Sequence, residues 1–156
     1  MPLSLLSALV FSSALSTAAL AAEPACPSGE ELMFGCVLED NQPLAICGTS
    51  DLSPTSGSVH LLLGKKGKTL TYPSGPAGQP FKYDRYTRPQ TTYLSLEFEH
   101  DGAMYRVSDD ESEGKMWRGL VIARGEKEEQ LSCKADSVKG SLMKLEGKLP
   151  EPPSEP

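Results

Sequence analysis

The stretch Thr92-Tyr93-Leu94-Ser95-Leu96-Glu97-Phe98-Glu99 decides the fold class of this chain. Every second residue is apolar, which predicts an extended strand with Leu94, Leu96 and Phe98 on a core-facing side and polar residues on a wet side. Asp101-Gly102 comes two residues later, and Asp-Gly beside an alternating segment is typical of a two-residue hairpin turn. A strand, a turn and a return strand over residues 103–108 are therefore expected.

The same period-two pattern recurs along most of the chain and predicts an all-β fold. Strands are expected at residues 31–39, 44–47, 59–63, 69–72 and 115–123, and in a last segment that ends near Cys133. Residues 109–114 are interpreted as a solvated acidic loop, and 142–145 as a strand or a short helix. Short turns and the lack of a long helical pattern indicate a small antiparallel β-barrel or sandwich of about eight strands.

Residues 1–22 have the pattern of a secretory signal peptide. The segment carries no charged side chain, and it ends in small residues with Ala19 and Ala21 at the cleavage positions. Residues 23–149 are expected to form a single β domain, and the proline-rich residues 150–156 a disordered tail. The prediction is a periplasmic or secreted protein without membrane insertion, either a monomer or a weak dimer.

The four cysteines all follow the predicted signal peptide and are expected to form two disulfides. A two-residue loop at Asn41-Gln42 places Cys36 opposite Cys47, which leaves Cys26 to bond with Cys133. The other pairing joins Cys36 to Cys133 and Cys26 to Cys47. The sequence leaves both pairings open.

Charge and composition exclude several classes of function. The formal net charge of −6 repels a phosphate backbone, so nucleic acid is not an expected partner. No two cysteines have C-x-x-C spacing and there are two histidines, His60 and His100, so no metal or cofactor is expected. Without a nucleophile elbow or a recognisable triad, the chain is not expected to be an enzyme.

Two segments resemble the c-type lysozyme inhibitors of bacterial envelopes. Leu32-Met33-Phe34-Gly35-Cys36 places an aromatic residue two positions before a cysteine. In the second segment, residues 101–133, Asp101-Gly102-Ala103-Met104-Tyr105 is similar to the Ser-Gly-x-x-Tyr of that family. Trp117-Arg118-Gly119 is similar to its aromatic-Thr/Ser-Lys-Gly segment, and Cys133 to its terminal half-cystine. The segment from Phe34 to Gly48 also resembles a group of uncharacterised exported proteobacterial proteins.

The resemblance implies a small β-barrel that binds a lysozyme-type hydrolase, with a partner-binding surface at Asp101, Gly102, Tyr105, Trp117 and Arg118. Asp101 stands where the family has serine, and Arg118 where it has lysine. The acidic charge also favours this partner, because lysozymes are generally basic and opposite charges speed association. The alternative is an envelope structural or adhesin-like module without an enzyme target. In that case Tyr105 and Trp117 are expected to pack the core.

Overall fold

The structure, a computed structural model, describes residues 22–64, 70–73 and 81–149. The predicted signal peptide up to residue 21 and the predicted tail at 150–156 lie outside the described residues, so both stay predictions. The described chain folds into two antiparallel sheets and two short 3-10 helices. The all-β prediction is confirmed, with nine main strands and a tenth of two residues where about eight were expected.

The first sheet has the strand order β10-β1-β2-β3-β4. Its strands are β1 (Glu30–Val37), β2 (Pro43–Thr49), β3 (Val59–Leu63), β4 (Leu70–Pro73) and the short β10 (Lys139–Gly140). The second sheet has the order β5-β6-β7-β8-β9 and is a simple meander. Its strands are β5 (Lys82–Arg88), β6 (Thr91–His100), β7 (Ala103–Ser112), β8 (Lys115–Arg124) and β9 (Lys127–Ser132).

The inner faces of the two sheets share one hydrophobic core. Fully buried side chains come from both sheets: Phe34, Ile46, Leu61, Leu96, Val107 and Leu120. The alternation predicted for residues 92–99 is confirmed, because Leu94, Leu96 and Phe98 are buried. Two sheets that bury facing sides against each other form a β-sandwich. The sheets do not close into a barrel within the described residues.

One corner of the sandwich joins the two sheets. Leu38, just after β1, forms an isolated antiparallel bridge with Cys133, just after β9. The Lys134 backbone N–H donates to the Val37 carbonyl at 2.9 Å. The Cys36–Cys133 disulfide links the same two segments covalently. This corner therefore fixes how the second sheet sits on the first.

The structure selects one of the two disulfide pairings that the sequence left open. The bonds are Cys36–Cys133 and Cys26–Cys47. Cys36 does not face Cys47 across the β1–β2 hairpin, because the register pairs it with Leu44 and centres the turn on Asp40. The prediction of a two-residue loop at Asn41-Gln42 is therefore wrong, because the observed β1–β2 register differs from the one that such a loop would give.

The acidic segment 109–114 is not a loop. β7 continues through Ser112, and only Glu113 and Gly114 form the turn, both with positive φ. Asp109 keeps the inward alternation of β7 and is 6 % exposed. The prediction of a solvated loop was wrong because it followed the charge of these residues and not their period-two position.

Asp109 is a buried acidic residue at the edge of the core, and its carboxylate accepts hydrogen bonds from the C-terminal segment. Its Oδ1 accepts from Arg118 Nε at 2.7 Å. Its Oδ2 accepts from Ser141 Oγ at 2.7 Å and from the Leu142 backbone N–H at 3.1 Å. Residues Leu142–Leu145, predicted as a strand or a short helix, form a 3-10 helix that buries Leu142 and Leu145. The carboxylate therefore satisfies the first amide of that helix.

In the part of the chain that the structure describes, no helix combines the length and the apolar character needed to cross a membrane.

Candidate functional site

The outer faces of the two sheets differ in how the chain covers them. On the first sheet, the N-terminal segment lies across the outer face, tied there by Cys26–Cys47, and Pro24 packs on Gly35. Every residue from Leu44 to Gly48 in β2 is buried. On the second sheet, by contrast, Tyr86 is 52 % and Tyr93 is 40 % exposed. The second sheet therefore exposes aromatic side chains on its outer face.

Strand register arranges the outward side chains of the second sheet in rows that run across the strands. Tyr86 pairs with Tyr93, Tyr93 with Asp110, and Asp110 with Trp117. We call Tyr86, Tyr93, Asp110 and Trp117 the aromatic row. The Tyr86 and Tyr93 rings are stacked, with centroids 6.1 Å apart and an angle of 15° between their planes. With a strand spacing of about 4.8 Å, the row is roughly 14 Å long.

The next row consists of short side chains. Asp84 pairs with Ser95, Ser95 with Ser108, and Ser108 with Gly119. At Gly119 an added Cβ would lie 3.1 Å from Trp117 Cζ2, so the indole extends over the backbone of this glycine. Because these side chains are short, the surface between the neighbouring rows lies close to the sheet backbone.

A third row has longer side chains and completes a depression that we call the outer groove. Glu97 pairs with Arg106, Arg106 with Val121, and Val121 with Gln130. Glu97 and Arg106 form a loose ion pair at 3.9 Å. The outer groove lies between this row and the aromatic row and has a volume of about 530 Å³. A smaller hollow of about 260 Å³ lies on the other side of Tyr93, Asp110 and Trp117.

Asp110 is the carboxyl group within the aromatic row. Partial burial raises its pKa above the ordinary value of 3.8, although the Leu94 N–H and Arg106 act in the opposite direction. Asp110 Oδ1 accepts from the Leu94 backbone N–H at 3.2 Å. Asp84 and Glu97 also line the groove, so three carboxyl groups face one guanidinium. The groove therefore favours neutral or cationic ligands over anionic ones.

The raised pKa of Asp110 predicts a pH-dependent effect of Asp110→Asn on stability. A carboxyl group whose pKa is higher in the folded state stabilises the fold below its ordinary pKa of 3.8. That contribution is lost as pH rises through the native pKa. Asn keeps the acceptor for Leu94 and has no charge to bury, so we expect the variant to be more stable at pH 7, by less than about 1 kcal/mol.

Urea unfolding at pH 7 and pH 3 measures this effect, and the gain should disappear at the lower pH. Glu111→Gln, a change at the exposed neighbouring residue, is the matched control. A stability difference that is the same at both pH values contradicts the argument.

The five residues expected to bind a partner do not lie together. Asp101 and Gly102 form the tight β6–β7 turn, with φ values of 48° and 70°, as the Asp-Gly pair predicts. Tyr105 is 5 % exposed and stacks on Phe98 in the core. Its hydroxyl accepts from Arg124 Nη2 at 3.2 Å. Of the two expectations for Tyr105, the structure supports core packing.

Trp117 and Arg118 point to opposite faces of β8. Trp117 lines the outer groove, whereas Arg118 binds the buried carboxylate of Asp109. Ala123 pairs with Met104, so Trp117 lies six residues, roughly 20 Å, from the end of β8 that is near the Asp101-Gly102 turn. Of the five residues, the structure brings only Trp117 into the groove, and the partner-binding role of all five stays a prediction.

The two histidines of the chain lie away from the groove. His100 Nε2 lies 3.3 Å from Asp101 Oδ2 at the hairpin turn, and His60 Nε2 lies 3.2 Å from Glu30 Oε2 on the first sheet. Glu30, His60 and Cys47 are close enough to share a metal ion. However, the Cys47 sulfur is bonded to Cys26 and is not a thiolate ligand.

Sequence reasoning missed Tyr86, Asp84 and Asp110 as members of a site. The alternation of residues 92–99 puts Tyr93 on the side opposite Leu94 and Leu96, and an aromatic residue on that polar side was the available signal. The other groove residues come together only through the register of four neighbouring strands, and no local sequence pattern predicts that register.

Comparisons of the chain with protein-family models, with curated proteins and with solved structures found no match.

Proposed function

We propose that this protein is an exported binding protein of the cell envelope, periplasmic or secreted, and that it holds its ligand in the outer groove without catalysing a reaction. The observation that carries the proposal is the aromatic row, which is open to solvent on the second sheet. The chain covers the outer face of the first sheet with its own N-terminal segment. Among the described residues, nothing comparable lies over the aromatic row of the second sheet.

Two disulfides and the signal-peptide pattern support export, since disulfides form and persist in oxidising compartments. A binding role is supported by the position of the groove on the central strands β6, β7 and β8. Side chains on paired strands lose little freedom when they bind, and this lowers the entropic cost of association. Trp, Tyr and Arg are also the residues that contribute most to binding energy at protein surfaces.

A lysozyme-type hydrolase is the first candidate partner. The net charge of −6 favours a basic protein, and Asp84, Glu97 and Asp110 place carboxyl groups in the groove itself. In the lysozyme inhibitors that the sequence resembles, loops plug the enzyme's cleft. Our proposal places the contact in the groove, so variants of the groove and of the Asp101-Gly102 turn distinguish the two modes.

We expect a stoichiometric excess of the protein to slow the lysis of a cell-wall suspension by a c-type lysozyme. Trp117→Ala should weaken this inhibition about tenfold or more, because it removes the largest side chain of the groove. Asp101→Ala, at the distant turn, should leave the inhibition unchanged.

Two results count against these ideas. If lysis proceeds at the same rate with the wild-type protein, lysozyme is not the partner. If Asp101→Ala relieves inhibition and Trp117→Ala does not, the contact is made through the turn and the groove proposal is wrong.

The second candidate, an envelope structural or adhesin-like module, is favoured by the open aromatic face and predicts binding to an envelope component that is not an enzyme.

A further inference from the structure

The side chains of the outer groove provide two kinds of contact next to each other. The aromatic row presents the apolar rings of Tyr86, Tyr93 and Trp117, and Tyr86 and Tyr93 are among the most exposed large hydrophobic residues that the structure describes. Beside it lie the hydroxyls of Ser95 and Ser108, the carboxyl groups of Asp84, Glu97 and Asp110, and the guanidinium of Arg106. A matching ligand has apolar faces and, along its edges, groups that both donate and accept hydrogen bonds.

An extended peptide is a poor match for this surface. Peptides that bind sheets usually add a strand at an edge, where unpaired backbone N–H and C=O groups are available. The outer groove instead crosses the face of β5 to β8, where the backbone groups already pair in the ladders. A peptide lying there would leave many of its own amides without a partner, and a buried unpaired amide is costly.

Anionic ligands are disfavoured by charge. The groove carries Asp84, Glu97 and Asp110 against Arg106, with Lys82 beside Glu97 at the β5 end of the third row, and the whole chain has a net charge of −6. Nucleic acids and acidic polysaccharides would be repelled both by the groove carboxyl groups and by the net charge of the whole chain.

We propose that the ligand of the outer groove is a neutral glycan strand, a chain of equatorially linked hexose or N-acetylhexosamine rings that lies across the strands of the second sheet. The C–H faces of such rings are apolar and cover the aromatic row. Their hydroxyls donate to the carboxyl groups and accept from Arg106 and from the serine hydroxyls. This inference rests on the proposed function, ligand binding in the outer groove, and it names a glycan in place of lysozyme as the ligand of that same site.

The geometry of the floor suits such a chain. Ser95 and Ser108 keep the middle of the groove floor low, so a sugar ring can lie there close to the sheet, beside the Trp117 indole that covers Gly119. The aromatic row runs for roughly 14 Å, more than the length of one ring. Binding should therefore strengthen as the oligosaccharide becomes longer.

Trp117 is the only tryptophan of the chain, so its intrinsic fluorescence reports directly on the groove. We would titrate the full mature protein with cellohexaose and with chitohexaose, and with hexalysine as a cationic comparison. The expected result is a saturable change in Trp117 emission with at least one hexasaccharide, stronger binding than with the disaccharide of the same series, and a weaker response to hexalysine.

Variants connect the signal to the site. Isothermal titration should show binding about tenfold weaker for Tyr93→Ala and for Trp117→Ala. Met104→Ala, on the same outer face but outside the groove, is the matched control and should bind like the wild type. Circular dichroism of each variant checks that a loss of binding is not a loss of fold.

Three outcomes overturn the glycan assignment: no saturable response to either hexasaccharide at millimolar concentration, equal affinity in Tyr93→Ala and wild type, or tighter binding of hexalysine. In each case the lysozyme assay shows whether only the glycan assignment fails or whether the proposed binding function of the groove fails as well. If Trp117→Ala still weakens lysozyme inhibition, the groove is a binding site for another class of ligand. If neither assay responds to groove variants, the proposed function fails as well.

Discussion

Replacing both Cys36 and Cys133 with alanine is expected to lower the free energy of unfolding by about 4 to 5 kcal/mol in the chain-entropy model. The bond spans 97 residues of sequence, so removing it restores a large loop entropy to the unfolded chain. It also lies at the corner where Leu38 and Cys133 join the sheets. Small domains have a total stability of about 5 to 15 kcal/mol, so this variant should be close to unfolding.

The matched variant removes Cys26 and Cys47 in the same way. That bond spans 21 residues, and the same model gives a loss of about 3 kcal/mol. Urea unfolding of both double variants, monitored by circular dichroism, shows which disulfide contributes more to the free energy of unfolding. If removal of Cys26–Cys47 is the more damaging change, loop entropy does not control the stability of this fold.

Asp109→Ala is expected to cost about 3 to 5 kcal/mol, the usual effect of removing one partner of a buried ion pair. The change leaves the Arg118 guanidinium, the Ser141 hydroxyl and the Leu142 amide without their acceptor. Hydrogen exchange at the Leu142 amide should speed up more than exchange in the centre of β7, because the 3-10 helix loses its link to the second sheet.

Arg118→Met is the informative comparison. It removes the charge partner but leaves Asp109 with its two donors from the C-terminal segment, so we expect a smaller loss than for Asp109→Ala. Glu111→Ala, two residues along β7 and exposed, controls for removal of an acidic side chain. A loss below about 1 kcal/mol for Asp109→Ala would contradict a central role for this carboxylate.

Local patterns predicted the strands better than they predicted the partners of those strands. The alternation in β6 gave both the element and its buried side, and Asp101-Gly102 gave the turn. Asp109 shows where charge misled the prediction, since its position in the alternation of β7 pointed inward. Its acceptor role depends on Ser141 and Leu142, which lie more than thirty residues away. No short-range signal identifies such partners.

The disulfide pairing and the outer groove were beyond the sequence for one shared reason. Both depend on which residue faces which across neighbouring strands, and a shift of one position moves every side chain to the other face. The β1–β2 turn is centred on Asp40, and this register places Cys36 opposite Leu44. Trp117 was singled out through a resemblance, but its neighbours Tyr93 and Asp110 follow only from the observed pairing.

The crossing pattern of the two disulfides has a consequence for biogenesis. The first cysteine bonds to the third and the second to the fourth. If the chain is exported as proposed, N-terminus first, it presents Cys26 and Cys36 together before either native partner arrives, and oxidation in that order joins the wrong sulfurs. Correct maturation therefore requires that Cys36 stay reduced until nearly the whole chain has emerged, or that an isomerase exchange the early bond.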